Sequence, residues 1–290
     1  MGTEFVLYGS EHFSNFQHFM DENMCLLGQY ISKNLQCKII IPNIPSYYNS
    51  TLKDILDTLG LHDRVELVDY EVQPVMSEPM WGITENKILF YRKLKDSLPN
   101  YENGPEKIFI KRTWGKGSGG HSTPIRRVVN EDDVQRFLES KGFVTVTFDG
   151  LSFSEKKKLL QNAKEIVTQT GANCINLFLC EKLEKMILLT NDKFGMGVYF
   201  TSLWQSIHNR GLKCVEIVSE SINRHLLVEP RGKPNGEDNG NFYVEIFRLE
   251  HVIGDVGSLS GFSVNFYTSR EPLLYHPFTM SASRSLTHPS

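Results

Sequence analysis

The sequence lacks an Asp-x-Asp triplet, a Cys-x-x-Cys pair, a repeat of fixed period and any excess of positive charge. Each absence removes a class of function. With no Asp-x-Asp and no second histidine within five residues of His18, no compact ligand set marks a divalent metal. The five cysteines (Cys25, Cys37, Cys174, Cys180, Cys214) are odd in number and flanked mostly by apolar residues. They read as reduced, buried thiols rather than a zinc site or a disulfide framework. Lys+Arg total 31 against 34 Asp+Glu, a net charge of −3, so a surface given over to nucleic acid is excluded and any polyanion site must be local. No apolar run reaches the about 20 residues of a membrane span, and the first residues lack a basic-then-apolar signal pattern. The expected setting is cytoplasmic.

What is present suffices for a large core. The chain has 290 residues, 40% of them hydrophobic and 11% aromatic, enough for one large or two modest domains, and two is the expectation. "FVLYG" predicts a strand. Phe16, Phe19, Met20, Met24, Leu27, Tyr30 and Ile31 recur at helical spacing, "CKIIIP" is an apolar strand, "STLKDILDTLGL" a helix stopped by Gly60, and "VELVDY" another strand. The polar stretch 91–105, with Pro99, Asn103, Gly104 and Pro105, predicts a linker and a domain boundary. Beyond it the alternation resumes: strand "KIFIK", a glycine-rich loop at 115–120, a helix "EDDVQRFLESKG" capped by Asn130, strand "FVTVTF", a helix opened by a Ser152/Glu155 capping box, and strand "EIVTQT". "KMILLT", a helix around "GVYFTSLWQSIHNRG" and "KCVEIV" follow, then a helix candidate in "NFYVEIFRLEHVI". Strands alternating with helices imply an α/β fold with parallel sheets.

In such sheets ligands lie beyond the carboxyl ends of the strands, where helix N-termini present free N–H groups. "QTGANCINLF" has that form, with Gly171 and Ala172 leaving room for a phosphate, although most such turns bind nothing. The 115–120 loop fits neither phosphate-loop pattern. Its flanks carry Lys111, Arg112, Arg126 and Arg127, four cations that could hold a diphosphate or simply form a solvated basic face. Upstream, His18 precedes Asp21 by three positions and Glu22 by four, all expected on one side of a helix, where a carboxylate could position an imidazole base.

These motifs together resemble glycosyltransferase family 61. The resemblance runs through "KIFIKR", "RRVVNE", "GF" at 142–143, "LSF" at 151–153, Ala163 and "TGANCIN", in matching order and spacing, and more weakly through "SNFQHFMDEN" and "YNSTLKDILDTLGL". Thr170 stands where the family usually has His, "MILLT" lacks the usual following Glu, and Glu22 takes a position that is commonly Asp.

The resemblance implies a GT-B type fold of two Rossmann-like doubly wound domains facing a cleft, divided here as an acceptor-side domain 1–100, a nucleotide-sugar domain 101–255 and an extension 256–290. It also implies an inverting, metal-independent transferase that moves a sugar from a UDP-sugar to a hydroxyl of a glycan or glycoprotein, with xylose the expected sugar and no nucleic-acid partner. His18, Asp21 and Glu22 become the base candidates. Arg112, Arg126 and Arg127 would hold the diphosphate, Gly171 and Ala172 would supply N–H groups with Asn176 bracing the turn, and Thr170 would replace the family's His. Phe148, Asp149 and Leu151 would lie beside base and ribose. A catalytically inactive nucleotide-sugar or glycan binder of the same fold is the alternative.

Overall fold

Apolar strands joined by amphipathic helices can bury both faces of a sheet only by winding the helices over each side, and the chain does this. The computed structural model describes residues 4–8, 16–42, 49–68, 79, 81–112, 127–191, 195–219, 221–222, 241–254 and 264–267. The first sheet holds β1 (Phe5–Val6), β2 (Ile39–Pro42) and β3 (Val65–Val68), parallel and in sequence order. Between β1 and β2 run α1 (Phe16–His18), a π-helix (Phe19–Met24) and α2 (Leu26–Ser32), and α3 (Asn49–Leu59) joins β2 to β3. Gly60, at φ 66, stops α3 as its position foretold.

The second sheet contains β4 (Lys107–Ile110), β5 (Val144–Val146), β6 (Glu165–Gln169), β7 (Lys185–Asn191), β8 (Lys213–Ser219) and β11 (Val264–Tyr267) in the order β11-β8-β7-β6-β4-β5. All neighbours are parallel except β11, which runs antiparallel to β8 and so places part of the 256–290 extension on the sheet edge. The order reverses at β4/β6. After β4 the chain crosses to β5 through α5 (Glu131–Ser140), then returns past β4 to β6 through α6 (Phe153–Leu160).

Side chains along the strands sort accordingly. Ile108, Ile110, Ile166, Met186 and Leu188 pack on one face with Phe153 and Leu160 of α6, whereas Phe109, Val167, Ile187 and Leu189 pack on the other with Val134 and Leu138 of α5. The first face continues without a break into the residues of the small sheet, α2 and α3, so one apolar cluster joins both sheets.

The helix between the sheets is α4 (Glu85–Ser97), capped by the Thr84 hydroxyl accepting from Lys87 N at 3.2 Å. It corrects the expected linker, because 91–97 are helical, with Tyr91 and Leu94 fully buried. The rest of that stretch is tied to α6: the buried Lys157 ammonium donates to Lys95 O, Leu98 O and Asn100 Oδ1 at 3.0, 3.2 and 2.9 Å, and Gln161 Oε1 accepts from Tyr101 N at 2.9 Å. Polar composition suggested solvent, but here it satisfies a helix end. At the C-terminus of α7 (Gly197–His208), Arg92 of α4 donates to Ser206 O and Ile207 O, as helix polarity favours.

Packing of α2 on α4 requires Gly28, where a Cβ would stand 2.0 Å from Asn86 O. Gly28→Ala is therefore expected to cost about 1–3 kcal/mol, measured by urea denaturation.

One cap agrees with expectation and one differs. Ser152 and Glu155 form the foreseen capping box on α6. Asn130 does not cap α5 with its side chain; it exchanges hydrogen bonds with Val244, Nδ2 donating to O at 2.8 Å and Oδ1 accepting from N at 2.9 Å. That pairing, and the pairing of β10 (Asn241–Phe242) with β9 (Ser221–Ile222), take the first residues of the C-terminal helix candidate, so α8 spans only Ile246–Ile253.

Candidate functional site

The carboxyl ends of β4 and β6 are adjacent, with Ile110 opposite Thr168, at the point where the strand order reverses. A crevice at such a point is where open α/β sheets hold ligands. Two residues past β4, the Arg112 guanidinium lies against the backbone of Gly171, so close that a Cβ at 171 would be 3.4 Å from Nη1. Burial lowers the Arg112 pKa, while the Cys174 thiol opposes that shift. An always-protonated guanidinium with restricted hydration is suited to an anion.

The expected α-helix after Gly171 is a 3-10 helix, Ala172–Leu179. Cys174 through Leu179 are all buried, wedged against α1, α6 and α7, so no exposed face exists for an amphipathic α-helix. Asn176 braces the turn, its Nδ2 donating to Asn173 O at 3.1 Å. Thr170 N donates to Leu189 O at 2.9 Å. The Thr170 hydroxyl, both polar atoms of the Gln169 amide and Asn176 Oδ1 are buried without hydrogen-bond partners among the described residues. Each such group costs roughly 1–3 kcal/mol unless something pairs it. Gln169 was missed in the sequence because a Gln ending an apolar strand carries no motif.

The four cations are divided. Lys111 turns to the α5 face, donating to Gln135 Oε1 at 3.0 Å, with Glu131 and Asp132 each 3.5 Å away. Arg127 is exposed and feels Glu131, and Asn241 Oδ1 accepts from its backbone N at 2.8 Å. Arg126 and the 115–120 loop lie outside the described residues. Phe148 is buried in the core, Leu151 is half-buried and Asp149 is exposed, in a turn closed by Leu151 N donating to Phe148 O at 3.2 Å with Gly150 at φ 73.

The π-helix continues α1, which packs on the 3-10 helix. Cys25 N donates to Met20 O at 3.1 Å, the i→i+5 pattern of a π turn, a feature frequent at functional sites. The inserted residue breaks the expected shared face of His18, Asp21 and Glu22. His18 Nδ1 is 3.0 Å from Glu22 Oε2, with side chains 22% and 10% exposed. Asp21 is wholly buried, its carboxylate accepting from Tyr91 of α4 at 2.7 Å, Tyr199 of α7 at 2.5 Å and Gln17 at 3.4 Å. Burial, then the Asp21 charge, raises both tyrosines well above their ordinary pKa and keeps them donors. Asp21 thus pins three helices together, and His18 is the most exposed of the three candidates.

Lys156 of α6 lies beside α1. Its ammonium lies 5.4 Å from the Phe16 ring centroid and 4.8 Å from that of Phe153. Burial lowers its pKa from 10.5 to about 8, against the pull of Asp54 and Asp149. Between those values the unfolded chain holds a proton the folded chain has lost, so stability rises with pH through this window, by up to ~3 kcal/mol. In Lys156→Met that rise should be absent from urea denaturation followed between pH 7 and pH 10.

Among the described residues no group of three or more His, Cys, Asp or Glu side chains is placed to hold a metal, and no helix is long and apolar enough to cross a membrane. No curated protein matches the chain. Residues 16–187 match the family model described as Glycosyltransferase 61. That span begins with α1, ends in β7 and contains every candidate site residue from His18 to Asn176, and it covers more than half of the chain. The chain belongs to glycosyltransferase family 61.

Proposed function

We propose that the protein is an inverting glycosyltransferase that moves a sugar, xylose first among the candidates, from a UDP-sugar to a hydroxyl of a glycan acceptor. The observation that carries this is the Arg112 guanidinium beside Gly171 at the β4/β6 reversal. In this reading the two sheets are the halves of a GT-B enzyme: residues 1–100 supply the acceptor side, and residues 101–255, with β11 from the extension 256–290, supply the donor side.

His18 Nε2 takes the proton from the acceptor hydroxyl while the Glu22 carboxylate, 3.0 Å from Nδ1, offsets the charge the ring acquires. The acceptor oxygen attacks the anomeric carbon, the bond to the β-phosphate oxygen breaks, and UDP leaves from the opposite face. Arg112, the N–H groups at 171 and 172 and the Thr170 hydroxyl receive the charge that develops on the β-phosphate. Thr170 thus fills the role of the family's His with a donor that has no other partner among the described residues.

Saturation-transfer NMR with UDP-xylose, UDP-glucose, UDP-N-acetylglucosamine, GDP-fucose and UDP tests the donor. Signal from UDP and one UDP-sugar is expected. Signal from GDP-fucose alone, or from none, would overturn the assignment.

A further inference from the structure

The mechanism does not use Trp81, which packs on Tyr199. Trp81 is 46% exposed, although a tryptophan is ordinarily among the more buried side chains. It is also held firmly. Gly82 N donates to Pro79 O at 3.1 Å, closing the turn, and the same carbonyl accepts from the fully buried Lys87 ammonium at 2.5 Å. Lys87 in turn lies 5.7 Å from the Tyr199 ring centroid, and Trp81 meets that ring edge-on at 5.3 Å and 88°.

Tyr199 donates to Asp21, and Asp21 belongs to the π-helix that presents Glu22 to His18. A rigid indole therefore stands on the base side of the site, one ring and one hydrogen bond away from the π-helix, with much of its surface left to solvent. The donor phosphates are assigned elsewhere, to Arg112 and Gly171.

We propose that Trp81 is a stacking platform for a sugar ring of the acceptor. The axial C–H face of a pyranose is flat and apolar, and a fixed indole covers it without ordering cost at the moment of binding. The Asp21–Tyr199 contact would keep that platform in register with His18. The proposal rests on the acceptor side of the function above, so its test carries an independent control on the donor side.

The test is saturation-transfer NMR of the full chain with methyl β-D-xylopyranoside, glucopyranoside, galactopyranoside and N-acetylglucosaminide at millimolar concentration, with UDP run in parallel. At least one glycoside should take up saturation, strongest on the protons of one ring face. Trp81→Ala should weaken that binding roughly three- to tenfold, Trp81→Phe should retain most of it, and the UDP signal should be unchanged in both. No glycoside signal from the wild type, or equal signal from Trp81→Ala, would overturn the platform while UDP binding upholds the donor assignment. Glycoside binding that depends on Trp81 without any UDP signal would uphold the platform and remove the donor assignment. If Trp81→Ala does not fold, 5-fluorotryptophan labelling of the wild type gives the same decision. The fluorine line that is missing from Trp81→Phe must shift on adding the glycoside, and an unmoved line overturns the proposal.

Discussion

Replacing His18 by Ala should lower kcat by about 10²- to 10⁴-fold, the usual contribution of a positioned base, while the thermal unfolding temperature changes little. The reason is exposure combined with partner. The His18 side chain is 22% exposed and the Glu22 carboxylate lies 3.0 Å from Nδ1, so the proposed role falls to Nε2. Glu22→Gln should give a smaller loss, since it disturbs orientation and leaves the base in place. Asp21→Asn should behave differently: it removes a buried charge from two tyrosine hydroxyls, so its main effect should be on stability, about 1.5–3 kcal/mol for each charged hydrogen bond weakened. Full activity in His18→Ala, with an inactive but folded Asp21→Asn, would transfer the base role to Asp21.

The second large effect is expected at Arg112. Arg112→Ala should reduce kcat by about 10²- to 10³-fold, the loss usually seen when a charge-stabilising donor is removed, and Arg112→Lys should recover only part of it. A lysine brings one point charge where the guanidinium presents a planar fork to two phosphate oxygens. In the proposed mechanism the cation acts on charge that grows as UDP leaves, so the loss should fall on kcat more than on KM. A purely structural Arg112 would instead show a lowered unfolding temperature with normal turnover in the surviving folded fraction. Gly171→Ala provides a milder neighbouring check, because its methyl would reach Nη1 at 3.4 Å, a van der Waals contact that narrows the room beside the guanidinium.

The parts of the fold set by local chemistry were legible in the sequence. The capping box at Ser152 and Glu155, the stop at Gly60 and the apolar runs of β2, β6 and β7 each depend on neighbours within a few residues, and each is found where the pattern put it. Features decided by distant contacts were not legible. The polar residues of 91–105 suggested a linker because nothing local shows that Lys157 and Gln161 will come from α6 to bind that backbone. Asn130 looked like a cap because its partner, Val244, is 114 residues away. The π turn is the most consequential case. An ideal helix places Asp21 and Glu22 together beside His18, and one extra residue in the turn turns Asp21 into the core instead.

The candidate site divides along the same line. The turn at Gly171 was visible because backbone room is written in residue type, and Arg112 was visible as a charge at a strand end. That Lys111 would face α5 while Arg112 faces Gly171 follows from strand alternation, but the register of β4 had to be known first. Gln169 and Trp81 carry no sequence signal beyond their identity, and only burial without a partner, or exposure with anchoring, singles them out.

The most direct measurement is a proton NMR time course of UDP-xylose with the enzyme, reading which anomer of xylose appears first when water replaces the acceptor. The account predicts slow release of β-xylose ahead of mutarotation, with Arg112→Ala and His18→Ala releasing far less. Release of α-xylose first would contradict inversion, and firm binding of UDP-xylose with no release over many hours would identify a binder that has kept the family's fold without its turnover.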